Sequence, residues 1–287
     1  MNAFDFEDFQ NMSHNIINRL ACPFCSAKMV RSDNAKSLVC RGERRHCFDF
    51  SSSGYVNLAI THSEGGDSKM AVRSRSAFLE KGYYERVSDE LNRLLDKYVP
   101  SGFAVDAGCG EGYYSTRAVG HNREVCGFDL SKYACETAAK KAARNGVGEK
   151  TFFGVASVYE MPLADGCADA VFNVFAPCVE EEYSRVLRDG GYLIVCSAGA
   201  DHLQGLKALL YDNVYKNETR ADSPTRLTLV EHTNVRFEAN ITSNADIMDL
   251  FTMTPYYWRT SEDDKKKLEG IDNLSTLIDI DFFVYRK

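Results

Sequence analysis

Cys22 and Cys25 form a Cys-x-x-Cys pair, Cys40 follows on a second stretch, and His46 and Cys47 stand side by side shortly after. Two thiolates on a tight knuckle and two further sulfur or nitrogen ligands from another loop suit a closed tetrahedral zinc site. The fourth place is open between His46 and Cys47, because one residue rarely lets its neighbour bind the same ion. A module this short cannot bury a core of its own, so the ion would hold it together. A second constellation starts at Asp106, within the run Asp106-Ala-Gly108-Cys-Gly110-Glu-Gly112. Glycines at the carboxyl end of a first strand let the backbone turn tightly and approach a ligand. The spacing is Gly-x-Gly-x-Gly, and Tyr113 stands where dinucleotide binders carry their last glycine. Asp129 ends the next apolar run, at a separation that suits an acceptor for ribose hydroxyls.

The elements that must hold these residues follow from periodicity. Apolar positions at helical spacing run from Met70 to Tyr98, with a break at Gly82 and a stop at Pro100-Ser-Gly. Beyond Pro100, FAVDAG, EVCGFDL, KTFFGVASV, ADAVFNVFA and GGYLIVCSA read as strands, with YYSTRAV, SKYACETAAKKAARNG and EEYSRVLRDG as helices between them. That alternation predicts an α/β fold, a mostly parallel sheet with helices on both faces. VRFEANI and DIDFFVYR are expected to add late strands. The expected division is an N-terminal extension over 1–20, loosely attached, a cysteine module over 21–60 and a sheet domain over 61–287, in which 61–99 is linker and leading helices.

The chain has 287 residues and a formal net charge of -7, so as a whole it is no obvious polyanion binder. The stretch from Arg19 to Phe50 departs from this, with seven Lys/Arg against three acids. Arg41, Arg44 and Arg45 crowd the expected ligands, which offers a phosphate-facing patch beside a solvated-surface reading. Of the ten cysteines, Cys109, Cys126, Cys135, Cys178 and Cys196 lie in apolar runs or glycine turns and read as small buried residues. No apolar run has the length of a membrane span, and MNAFDFEDFQ lacks the pattern of a secretory signal. A reducing cytoplasm is the expected compartment, where clustered cysteines usually mean metal or catalysis.

The glycine loop and Asp129 resemble those of class I S-adenosylmethionine (SAM)-dependent methyltransferases. CPFC, HCFDFSSSGYVNL, GDSKMAVRSRSAFLEKGYY, DAGCGEGYY, FAPC, HLQGLK and MTPYYW, in that order, resemble the large-subunit (23S) rRNA guanine-N1 methyltransferase family over nearly the whole chain after residue 20. The resemblance implies a Rossmann-like domain with a seven-stranded, mostly parallel sheet behind a small N-terminal zinc-ribbon-like module that recognises RNA. It implies a zinc ion on Cys22, Cys25, Cys40 and His46, although the stretch from Cys40 to His46 is longer than usual, which keeps Cys47 as a substitute. It further implies SAM contacts from Tyr84, Asp106, Gly108, Gly110, Gly112, Tyr114, Ser115, Asp129, Ser157 and His202, with Ala156 beside the adenine. The partner implied is a 23S rRNA hairpin, with a homodimer sharing an RNA cleft as one arrangement.

Guanine N1 must lose a proton, and Glu180, Glu181 and His202 are the candidates to accept it; no spacing decides among them. Phe175 or a tyrosine is expected to stack on the target base. Cys178 lacks a base partner and is not expected to act as a nucleophile. Two other readings stay open: a small-molecule methyltransferase with structural zinc, and a ribosome-binding factor without catalysis.

Overall fold

The computed structural model describes residues 14–60, 65–218, 224 and 226–287. A small antiparallel sheet joins β1 (Met29–Arg31), β2 (Ser37–Cys40) and β3 (Cys47–Asp49) in that order. The large sheet has eight strands, in the order β10-β11-β9-β8-β5-β6-β7-β4. They are β4 (Val56–Asn57), β5 (Ser101–Ala107), β6 (Asn122–Asp129), β7 (Thr151–Val155), β8 (Ala168–Val174), β9 (Leu187–Ala198), β10 (Thr228–Ile241) and β11 (Leu274–Arg286). From β9 to β4 all pairings are parallel, while β10 and β11 run antiparallel at one end. The expected seven strands are thus joined by an eighth from the segment assigned to the cysteine module: Val56 pairs with Gly154 and Asn57 with Val155. The chain leaves β5 towards β6 and β7, then returns to β8 and β9 on its other side. The carboxyl ends of β5 and β8 therefore flank a topological switch point, where open α/β sheets bind ligands.

Helices cover both faces. α1 is His14–Ile17, α2 Lys69–Glu80, α3 Glu85–Tyr98, α4 Tyr113–Ala118, α5 Lys132–Arg144, α6 Glu180–Val186 and α7 Gln204–Leu210. α8 (Asn244–Thr252), α9 (Tyr256–Arg259) and α10 (Glu262–Lys266) precede β11. The Ser68 side chain accepts the Ala71 N–H and starts α2, and Gly82, at φ +85°, turns the chain into α3. α3 buries Val87, Leu91, Leu94 and Leu95, one stripe at helical spacing. Each contributes roughly 1.5–3 kcal/mol, so Leu91→Ala would cost about 2–5 kcal/mol. α5 buries Ala134, Cys135, Ala138 and Ala142, small residues that bring the helix close to the glycine loop. A Cβ on Gly112 would lie 2.7 Å from the Ala138 Cβ.

Four expectations change. Residues 14–20 are no loose extension: Ile16, Ile17 and Leu20 are buried, and Leu20 bridges to Leu163. Their apolar side chains are what binds them; residues 1–13 lie outside the described residues. The start of the expected linker, 61–64, lies outside them too, but Asp67 is tied down where the Ser131 hydroxyl donates to its carbonyl at 2.7 Å. α6 ends at Val186 and not at the glycines, because Leu187–Gly191 already belong to β9. Cys178 is only half-buried. The two sheets share a core, in which Cys22, Met29, Leu38 and Cys40 join Val56, Leu58, Phe103 and Phe128. Among the described residues no helix is long and apolar enough to cross a membrane.

Candidate functional site

The knuckle forms where Ser26, at φ +55°, returns its N–H to the Cys22 carbonyl at 2.8 Å. This brings Cys25 towards the second loop, and Cys22, Cys25, Cys40 and His46 gather with their ligand atoms within 4.8 Å of one another. The His46 Nδ1 lies 3.4 Å from the Cys22 Sγ and 3.6 Å from those of Cys25 and Cys40. Cys25 and Cys40 are 3.7 Å apart. Zn–S bonds of ~2.3 Å and Zn–N bonds of ~2.0–2.1 Å in a tetrahedron give edges of about 3.5–3.8 Å, so this donor set fits zinc. Cys47 lies on β3, exposed and outside the cluster. The His46 N–H also donates to the Cys40 sulfur at 3.2 Å, a contact that orients the thiolate. Gly42 accommodates the longer loop, since a Cβ there would come within 2.9 Å of the Cys25 sulfur. Outside the cluster, Arg41, Arg44 and Arg45 are exposed, and Phe24 tilts against His46 and stacks on Phe48.

At the switch point lies a cleft of about 1260 Å³. Of the ten residues expected to contact SAM, Tyr84, Gly108, Gly110, Tyr114, Asp129 and His202 line it. Asp106, Gly112, Ser115 and Ser157 do not. Asp106 is buried beneath the loop and accepts the Ser115 hydroxyl at 2.5 Å. Burial pushes its carboxyl up to about 7, against the opposing effect of that hydrogen bond. Gly112 packs on α5, and Ser157 accepts the Tyr159 N–H at 3.2 Å, closing the turn that carries Val158 and Tyr159 into the cleft. These four shape the walls from behind.

The loop is held by its own strand ends. Gly108 and Cys109 both donate to the Phe128 carbonyl at 2.9 Å. Asp129 accepts the Gly110 N–H on one oxygen at 3.1 Å and the Ser131 N–H on the other at 2.8 Å. Burial raises its pKa and those two N–H groups oppose the shift. Each carboxylate oxygen keeps a second lone pair for a ligand hydroxyl. Gly108, at φ +85°, packs against the loop after β8, where an added Cβ would sit 2.5 Å from that of Ala176. Below the loop Lys141 and Glu111, both buried, pair at 3.2 Å.

At the other end, the Asp279 N–H donates to the His202 Nδ1 at 3.3 Å, so the ring proton sits on Nε2. Nε2 then donates to the Tyr84 hydroxyl at 3.2 Å, which leaves the tyrosine its own hydrogen to offer. Burial lowers the His202 pKa to about 3 and raises that of Tyr84. Among the described residues, the Tyr114 hydroxyl is buried with no hydrogen-bond partner. An orphaned hydroxyl, a half-buried acid at the β6 end and glycine backbone lining the cleft between them fit a nucleoside carrying polar groups at both ends.

The expected proton acceptors need correction. Both ring nitrogens of His202 are engaged, and it stays neutral. Glu180 accepts the Arg226 backbone N–H, Glu181 pairs with the Arg226 side chain at 3.0 Å, and neither lines the cleft. Their position at the start of α6 favours the helix dipole and turns them away. Phe175 does face the cleft, 47% exposed and at φ +57°, with its ring stacked 6.0 Å from His202. Asn173 sets this turn by accepting the Ala176 N–H and donating to the Pro177 carbonyl and the Tyr183 hydroxyl. Arg75 was not foreseen; it pairs with Asp67, donates to the Met253 carbonyl at 3.2 Å and lines the cleft beside Gly110. Its place as a cation in the segment before the glycine loop was the available signal.

Two family models match: a "Methyltransferase domain" over residues 105–195 and the zinc ribbon described as "RlmA, N-terminal" over residues 20–60. A Streptomyces fradiae protein named 23S rRNA (guanine(748)-N(1))-methyltransferase is 34% identical over 202 residues, covering 68% of this chain and 69% of its own. The Bacillus subtilis protein YxjB, whose provisional name gives a 23S rRNA guanine-N1 reaction, is 28% identical over 289 residues, covering 93% and 96%. Among solved structures, the YcgJ protein of Bacillus subtilis aligns with a TM-score of 0.49 at 16% identity, over 70% of this chain and 98% of that one.

Proposed function

This chain belongs to the 23S rRNA guanine-N1 methyltransferase family, and from that premise we propose that it methylates N1 of a guanine in a hairpin loop of 23S rRNA. SAM supplies the methyl group on an already activated sulfonium, so positioning is the protein's main contribution. The zinc is structural and holds the N-terminal ribbon. One observation carries the reading: a single cleft runs from Asp129 and the glycine loop to the exposed ring of Phe175. A cofactor and an unstacked base could therefore meet in it.

In this reading Asp129 accepts the ribose hydroxyls. Tyr114 and Tyr84 offer hydroxyls to the remainder of the nucleoside, and His202 positions Tyr84. Asp106 and Ser115 brace the loop from behind. Phe175 stacks on the guanine, held in its left-handed conformation by the Asn173 turn. Glu218 lines the cleft and, among the described residues, shows no hydrogen-bond or ion-pair partner, which makes it our candidate to accept the N1 proton. The ribbon over 21–60 is the RNA-reading unit, with Arg41, Arg44 and Arg45 on phosphates, and 61–287 is the methyltransferase unit. An rRNA substrate and clustered metal-binding cysteines favour a cytoplasmic reaction in this reading.

Incubating the protein with tritiated SAM and 23S rRNA lacking this modification tests the reading. We expect label in the RNA, lost when Phe175 is changed to Ala while SAM binding persists. Label only in small molecules, or none with SAM bound, would reject it.

A further inference from the structure

MTPYYW is the sequence motif that the cofactor and the zinc leave unexplained. Its first half anchors. The Met253 carbonyl receives Arg75, and the Thr254 hydroxyl donates to the Phe251 carbonyl at 2.7 Å. Tyr256 donates to Asn217 at 3.3 Å, and the Thr260 N–H closes α9 on the Tyr256 carbonyl at 2.9 Å. The Thr260 hydroxyl adds a 2.7 Å bond to Tyr211. One helical turn is thus fixed to three other parts of the molecule.

Its second half is displayed. Trp258 is the sole tryptophan of the chain and is 67% exposed. Its ring stands perpendicular to that of Tyr257, with centroids 5.1 Å apart, and has no stacked aromatic neighbour among the described residues. Tyr257 is itself held by Phe251 and by Lys265 above its ring. Arg259 follows, exposed and without an ion pair among the described residues. Both Trp258 and Arg259 line the same cleft as Phe175. A large exposed ring with an unstacked face, beside an unpaired cation, on a rigid mount and at the mouth of a cleft, matches what single-stranded nucleic acid needs. Bases stack on the ring and the adjoining phosphate meets the cation.

We propose that Trp258 and Arg259 form a second base subsite, which holds an unpaired nucleobase next to the target guanine, with Arg259 on its phosphate. The proposal rests on the rRNA reading above and deepens it. A hairpin loop supplies such a base without the cost of unstacking a duplex. Aromatic stacking tolerates any base, so this subsite contributes grip and register, while selection of the guanine stays with the inner cleft.

The sole tryptophan is its own probe. Titrating the zinc-loaded protein with a hairpin fragment of unmodified 23S rRNA should quench its emission, with a midpoint matching the affinity from filter binding. Trp258→Ala should weaken hairpin binding about tenfold to a hundredfold, Trp258→Phe should retain most of it, and SAM affinity should match wild type in both. Hairpin binding with unchanged emission, or wild-type affinity in Trp258→Ala, would overturn the subsite and leave the rRNA reading standing. Sedimentation without RNA checks the other occupant: a dimer that forms only when Trp258 is present would assign the ring to a second copy and overturn the subsite as well. If filter binding detects no hairpin affinity, the rRNA reading itself fails and the subsite falls with it.

Discussion

Replacing Asp129 by Ala probes the cofactor reading at its most exposed point. The carboxylate is nearly buried at the end of β6 and now serves two backbone N–H groups, at 3.1 Å and 2.8 Å. With SAM bound it would also accept ribose hydroxyls through its remaining lone pairs. A hydrogen bond to a charged group contributes about 1.5–3 kcal/mol, or roughly a 12- to 160-fold change in Kd. The substitution also releases the Gly110 N–H, so the glycine loop loses an anchor and the true loss should lie towards the upper end. Asp129→Asn keeps one acceptor oxygen and should fall between Ala and wild type. Calorimetry of SAM binding, with circular dichroism to show that the fold is intact, provides the readout. Wild-type affinity in a folded Asp129→Ala protein would refute the reasoning and move the ribose elsewhere in the cleft.

Three other outcomes follow from the same geometry. Elemental analysis should give one zinc per chain; His46→Ala should lose it and Cys47→Ser should keep it, whereas zinc retained by His46→Ala would give Cys47 the fourth place. Burial raises the Asp106 carboxyl to about 7, above the ~3.9 of an unfolded chain, so the native state holds the extra proton between those values. Its contribution to stability is then complete below about pH 4 and is lost as the pH rises towards 7, a decline on the order of 4 kcal/mol that urea titrations should find blunted in Asp106→Asn. Changing Arg41, Arg44 and Arg45 together to Ala should flatten the salt dependence of RNA binding by about one log–log unit per lost phosphate contact. SAM affinity and zinc content should not move; an unchanged salt slope would make that loop a solvated surface.

Periodicity was enough to read the strands from β5 to β9, the late strands and the helices flanking Gly82, because burial imposes those patterns directly on residue order, whereas the switch point came only with the strand order. The ligand set around Cys22, Cys25 and Cys40 was legible for a similar reason: a knuckle is local. What escaped was the orientation within a loop. The family resemblance named Asp106 and Ser115, but only the packing shows that they bond to each other behind the glycines. His202 stood among three candidate bases until Asp279, distant in sequence, was seen to occupy its Nδ1. Val56 and Asn57 are too short a segment to announce a strand, and they owe their place to an open edge on β7. The tie between Asp67, Arg75 and Ser131 joins residues that no periodicity connects.

The central claim is the site of methylation. Nucleoside mass spectrometry on a 23S rRNA hairpin fragment, after incubation with SAM and the zinc-loaded protein, tests it most directly, with reverse transcription to locate the modified base. The account predicts 1-methylguanosine at one loop guanine and a transcription stop beside it, both dependent on Phe175. A methyl group on another nucleoside or on another guanine atom, or unmodified RNA in the presence of bound SAM, would contradict it.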